Sequence, residues 1–286
     1  MNRKRWLILA AALVVTGGIL FGGVMMSQNW NFLKLQTTQF KTNTHRIQTP
    51  YSNISINVGT ADVVIMPTED AVTTVECLEQ EKVKHNVEVK DNTLTIQVMD
   101  IRAWYEHILL AFQSPRITVY LPKADYEKVS INGSTADVKM ESLTADTLNL
   151  SLSTGDMTVS NTTINGTLSV KLTTGNITMS DIQCKNLNAI ASTGDLHLQN
   201  VIANQEFSAE AQTGDLILEG CDAKQLWLKT TTGDIVGWLL SPKVFIAHTN
   251  TGDVKVPQTT EGGSCEIHTN TGDIDMDVLL LDITTP

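Results

Sequence analysis

From residue 131 onward, apolar and polar positions alternate in short runs, and a recurring corner cuts the runs apart. The corner reads Ser153-Thr154-Gly155-Asp156, then Thr173-Thr174-Gly175-Asn176, and returns with its last residue at Asp195, Asp215, Asp234, Asp253 and Asp273. Eight positions before that last residue stand Leu148, Leu168, Leu187, Phe207, Leu226, Phe245 and Cys265. Six before stand Leu150, Val170, Ala189, Ala209, Leu228, Ala247 and Ile267, with mostly polar residues between the two rows. This period of two predicts a strand with one buried face. One residue after the corner come Met157, Ile177, Leu196, Leu216, Ile235, Val254 and Ile274, so a second strand begins there with its inward parity shifted by one. A bend in the chain produces such a shift, and glycine supplies the backbone angles it needs. The corners recur every 19 or 20 residues. A near-constant period of that size predicts stacked coils whose strands pair in parallel, about 4.8 Å apart. The fold expected is all-β: a single-stranded parallel β-solenoid, β-helix-like, behind an N-terminal transmembrane helix.

The remaining elements follow in order. Residues 1–5 form a basic tail, and residues 6–26 form a run without charge, from Trp6 to Met26. Twenty-one residues at about 1.5 Å each reach about 31 Å, enough to cross a bilayer core. Arg3, Lys4 and Arg5 predict a cytoplasmic N-terminus and an extracytoplasmic body, with the plasma membrane crossed once. A cleaved signal peptide is the rival, but the run is long and no small-residue cleavage site stands out. Residues 27–45 read as a polar spacer. Residues 46–130 read as a less regular β region that caps the solenoid of 131–286. It holds an isolated corner at Gly59-Thr60-Ala61-Asp62 and a hairpin at Asp91-Asn92. Ile101 to Gln113 has a helical pattern and is expected to pack on the first coil, and the apolar run Val278 to Ile283 is expected to close the last one.

Charge narrows the partners. The formal net charge is −11, the last Arg is Arg116, and acids outnumber lysines beyond residue 131. Such a body is a poor fit to nucleic acid, which needs clustered Lys and Arg. The four cysteines, Cys77, Cys184, Cys221 and Cys265, are widely spaced and match no zinc pattern or disulfide framework. No nucleophile–base pair or phosphate loop is visible, so no catalytic residue and no cofactor are expected. Weak metal candidates are the stacked carboxylates Asp195, Asp215, Asp234, Asp253 and Asp273, and the pair His248 and His268 in identical His-Thr-Asn-Thr-Gly-Asp stretches. Carboxylates one coil apart suit Ca²⁺, but the Gly-Gly-x-Gly-x-Asp pattern of calcium-binding β-rolls is missing. Turn capping is the simpler role, and Asn176 fits it as well as Asp does.

The Ser/Thr-Thr-Gly-Asp corners, the anchor before them, and the passage from Leu121-Pro122-Lys123 through Tyr126 to Ile131 resemble a bacterial family of β-strand-repeat surface proteins labelled putative adhesins. The resemblance covers residues 46–286 and implies a cell-surface β-solenoid without catalytic residues. Some members look like accessory parts of envelope-stress signalling. The expected function is therefore a non-enzymatic, membrane-anchored adhesion or scaffold module whose partners are cell-envelope or surface molecules. The alternatives are a regulator that contacts membrane sensor proteins and, less in keeping with the regular acid pattern, a carbohydrate-acting β-helix enzyme.

Overall fold

The computed structural model describes residues 3–27, 29–30, 39–103 and 114–279. Helix α1 (Arg3–Ser27) precedes the strands β1 (Phe40–Ile47), β2 (Asn53–Val58), β3 (Asp62–Thr68), β4 (Thr73–Gln80), β5 (Val83–Lys90), β6 (Thr93–Asp100) and β7 (Arg116–Pro122). They continue as β8 (Asp125–Thr135), β9 (Val138–Glu141), β10 (Thr144–Thr154), β11 (Met157–Thr174), β12 (Ile177–Thr193), β13 (Leu196–Thr213) and β14 (Leu216–Thr232). The last are β15 (Ile235–Leu239), β16 (Lys243–Thr249), β17 (Val254–Lys255), β18 (Gly263–Thr271) and β19 (Ile274–Val278). The chain enters the sheet at Phe40, inside the stretch expected to be a spacer. Most of the expected helical segment at 101–113, and the end of the run 278–283, lie outside the described residues.

The fold is all-β, but the expected single-stranded parallel β-solenoid is overturned by the strand pairing. The ladder closes on itself through ten strands, in the order β2, β6, β5, β4, β7, β3, β9, β11, β10, β8 and back to β2. The ring is a mixed β-barrel in its connectivity, with further strands outside it. Its β4–β5, β5–β6 and β4–β7 pairs are antiparallel, whereas the others in it are parallel. The physical reason lies before residue 130. There β2 and β3 leave the corner at Asp62 as two walls, and the hairpins β4–β5–β6 bridge them. The interior is packed rather than open: Ile54, Ile56, Ile65, Ile131, Leu148 and Leu150 are buried. Each such side chain contributes about 1.5–3 kcal/mol by leaving water.

Beyond the ring, β11, β12, β13 and β14 pair in parallel with the repeat's own register, so Leu168 faces Leu187, Leu187 faces Phe207, and Phe207 faces Leu226. The extra residue of a 20-residue repeat is absorbed at one place, where Ile164 and Thr167 face Cys184 and Asn186. At the corners glycine is doubly required. Gly175 has φ +129°, and a Cβ there would lie 2.0 Å from the Gly155 carbonyl oxygen. A second set of bends turns on Ser142, Asn161, Asp181, Asn200 and Gly220, all with positive φ.

The stacking order departs from chain order at the end. Strand β14 pairs with β18, and β18 then pairs with β16. The segment β18–β19 is thus inserted between its two predecessors, and the 243–262 stretch lies on the outside of it.

Candidate functional site

Each corner residue supports the next layer rather than its own turn. The Asp156 amide donates to Asp137 Oδ1 at 2.8 Å, Asn176 N to Asp156 Oδ1 at 2.8 Å, and Asp195 N to Asn176 Oδ1 at 3.0 Å. The ladder continues from Asp215 N to Asp195 Oδ1 at 2.9 Å and from Asp234 N to Asp215 Oδ1 at 2.8 Å. Its last rungs are Asp273 N to Asp234 Oδ1 at 2.8 Å and Asp253 N to Asp273 Oδ1 at 2.6 Å. At the other end Asp137 N donates to Asp62 Oδ1 at 3.1 Å, across 75 residues of chain. The sequence-predicted column is therefore assembled, with Asp273 placed between Asp234 and Asp253. One oxygen of each carboxylate up to Asp273 is committed to a backbone amide, which is structural work that an Asn performs equally well, and Asp253, the last rung, contributes its amide.

The imidazoles of His248 and His268 stack with centroids 5.1 Å apart and planes 13° apart. His268 Nε2 lies 2.7 Å from Glu266 Oε1. The His248 ring is exposed and the His268 ring half-buried.

A different cluster was not anticipated. On β4 the alternate residues Thr73, Val75, Cys77 and Glu79 point inward. Strand β1 pairs alongside β4, with Asn43 opposite Cys77 and His45 opposite Val75. The chain then turns through Glu81-Lys82, and β5 brings His85 back to the same interior. Ligand atoms of Cys77, Glu79 and His85 all lie within 4.8 Å of one another, and all three residues are buried. Glu79 Oε1 accepts from Asn43 Nδ2 at 2.6 Å, while Oε2 faces both the His85 amide at 2.6 Å and Nδ1 at 3.0 Å. Burial, reinforced by the Glu79 charge, pushes the Cys77 thiol up to about 12. The only sequence signal was Cys-x-Glu at strand parity followed by a tight turn and a His, which is weak without knowledge of the pairing.

Elsewhere a charge pair is enclosed where β16 begins. Lys243 Nζ lies 2.6 Å from Asp222 Oδ1, with the lysine side chain 4% exposed. Cys184, Cys221 and Cys265 are buried free thiols, and burial raises each to about 12. They sit in apolar rows, as small hydrophobes do.

The architecture defines a class: an all-β repeat protein whose layers are joined by Gly-Asp corners and whose sheet follows an N-terminal apolar helix. The chain belongs to the Toastrack DUF4097 family, whose model matches residues 51–167 and again residues 163–279. Among solved structures, a putative adhesin from Bacteroides fragilis is 16% identical, with 84% of this chain and 97% of that chain covered at a TM-score of 0.52. That likeness concerns the fold. A putative adhesin from Parabacteroides distasonis is 15% identical over 82% of this chain and 97% of that one, at a TM-score of 0.44. A structure named a putative lipid binding protein, also from Parabacteroides distasonis, is 14% identical over 84% and 97%, at 0.43. Among curated proteins none matches the sequence.

Proposed function

We propose that this protein is a non-enzymatic, membrane-anchored binding module whose β-body lies outside the cytoplasm and engages a cell-envelope or surface molecule. The observation that carries the reading is the helix Trp6–Ser27, whose mean hydropathy is 2.4 and whose apolar side chains, such as Leu7, Val14, Ile19 and Leu20, are exposed. A helix that apolar needs a lipid environment, and three basic residues precede its core. The body it would carry spends its repeated acids on its own backbone, which fits a rigid support better than a catalytic groove. The name of the Bacteroides fragilis neighbour, a putative adhesin, supports this reading.

The test has two readouts on one pair of proteins. Residues 1–38, which end before β1, are replaced by an unrelated single-pass anchor, and both chains are crosslinked to their neighbours in intact cells. Protease added from outside should digest the body and leave the N-terminal tail protected. The same surface partners should be captured by both chains. Capture that depends on the native residues 1–38 would favour regulation of membrane sensors instead, and a body protected from external protease would refute the placement.

A further inference from the structure

The polar cluster beside β1 has the composition of a transition-metal site. Three different donors converge there, and thiolate, imidazole and carboxylate together are a ligand set that suits Zn²⁺. Glu79 Oε2 faces His85 Nδ1 at 3.0 Å, as a carboxylate faces the outer nitrogen of a metal-bound imidazole, which leaves Nε2 as the ring nitrogen open to an ion. A second observation is independent of proximity. His85 Nε2 is enclosed and has no hydrogen-bond partner, and the other such side-chain atom among the described residues is His45 Nε2, on the neighbouring strand. An unpaired imidazole nitrogen in a dry interior is destabilising, so its retention asks for an occupant. Glu79 is also held as supporting shells hold metal ligands, with Asn43 fixing one oxygen and the His85 amide the other.

We propose that Cys77, Glu79 and His85 form a structural Zn²⁺ site that fastens β1 to the β4–β5 hairpin. On binding, the Cys77 S–H bond breaks, its proton leaves to solvent, and a zinc–sulfur bond forms without any redox change. Because all three donors are enclosed, the ion enters as β1 seats rather than through an open channel. The position matters for the whole chain, since β1 is the first strand after the helix and pairs along β4 from Phe40 to Ile47.

The experiment uses the full chain in detergent micelles, refolded after EDTA treatment with and without Zn²⁺ or Co²⁺. Expected are one metal ion per chain by elemental analysis after gel filtration, a higher Tm with Zn²⁺, and an intense near-ultraviolet thiolate-to-Co²⁺ band. The band should vanish in Cys77→Ser and persist in Cys184→Ser, which controls for another buried thiol. His85→Gln should weaken Zn²⁺ binding at least about tenfold. Mg²⁺ and Ca²⁺ should give no shift. Should Cys77→Ser not fold, the wild-type band and stoichiometry decide the matter. Folded wild-type chain with only substoichiometric metal, or bound Co²⁺ without a thiolate band, overturns the proposal. So does a band unchanged in Cys77→Ser.

Discussion

At the scale of single residues, the corner ladder sets two forces against each other. Adjacent carboxylates one strand spacing apart repel by about 0.9 kcal/mol in water. Each also accepts a backbone amide, and a hydrogen bond to a charged group contributes about 1.5–3 kcal/mol. The bond wins, and the chain tolerates the charge. Asp215 tests the balance because it stands between Asp195 and Asp234 and accepts the Asp234 amide at 2.8 Å. Asp215→Asn keeps the acceptor and removes the repulsion, so it should leave stability unchanged or raise it by up to about 1 kcal/mol at low salt. Asp215→Ala should lose about 1–2 kcal/mol. Urea unfolding at two salt concentrations distinguishes these outcomes. The buried thiols give a second residue-scale expectation. An unperturbed thiol titrates near about 8.5, whereas burial holds Cys184 to about 12. The folded state therefore binds the proton more tightly than the unfolded chain. Its contribution is complete below the lower value and fades as pH rises toward the upper one. Cys184→Ala should flatten the decline of stability between pH 9 and pH 11, measured by urea unfolding across that range. A slope equal to that of the wild type would count against the burial argument.

At the scale of elements, the β5–β6 hairpin sets the closure of the ring. Asp91 and Asn92 hold φ of 47° and 61°, the angles a tight hairpin needs. Asn92 also joins the hairpin to the start of β2. Its carbonyl accepts the Asn53 amide at 3.1 Å, and its side-chain amide donates to Ser52 Oγ at 2.8 Å. Asn92→Ala should cost about 1–2 kcal/mol, through the left-handed angle and the lost bonds, and Asn92→Gly less because glycine restores the angle. Equal losses from the two would show that the side-chain bonds alone matter. This turn was legible in the sequence, as were the Gly-Asp corners, because each solves a local backbone problem with a residue suited to it. The ring was not legible. Its closure depends on pairings such as Val58 with Gly133, and nothing local announces a contact across that much chain. The second bends were missed because Ser142, Asn161, Asp181, Asn200 and Gly220 meet one backbone demand with four residue types. The Cys77, Glu79 and His85 cluster stayed hidden for a similar reason: it exists only once β4, the turn and β5 are folded together.

For the whole molecule, the swapped order of the last layers makes a removable part. Asp234 and Asp273 are 39 residues apart in the chain yet bonded directly, and Asp253 and Asp273 are 20 apart. Excising residues 243–262 therefore leaves 19 residues between Asp234 and Asp273, the spacing of an ordinary repeat. Strand β18 already pairs with β14 from Gln225–Ser264 to Thr232–Thr271, and β15 with β19 from Ile235–Ile274 to Leu239–Val278, so no surviving pair must slip register. Gly263 stays, because a Cβ at that position would lie 2.3 Å from the Lys224 carbonyl oxygen. The deletion does strand Asp222, which loses Lys243 and keeps the Ser241 hydroxyl at 2.7 Å. An added Asp222→Asn removes that charge. The shortened chain should fold with a single cooperative transition and lose no more than about 3 kcal/mol, because stacked layers contribute chiefly through their nearest neighbours. The charged Asp222 version should be less stable than the Asn version. A deletion that abolishes folding in both would mean that the outer 243–262 layer holds β18 in place, instead of resting on it.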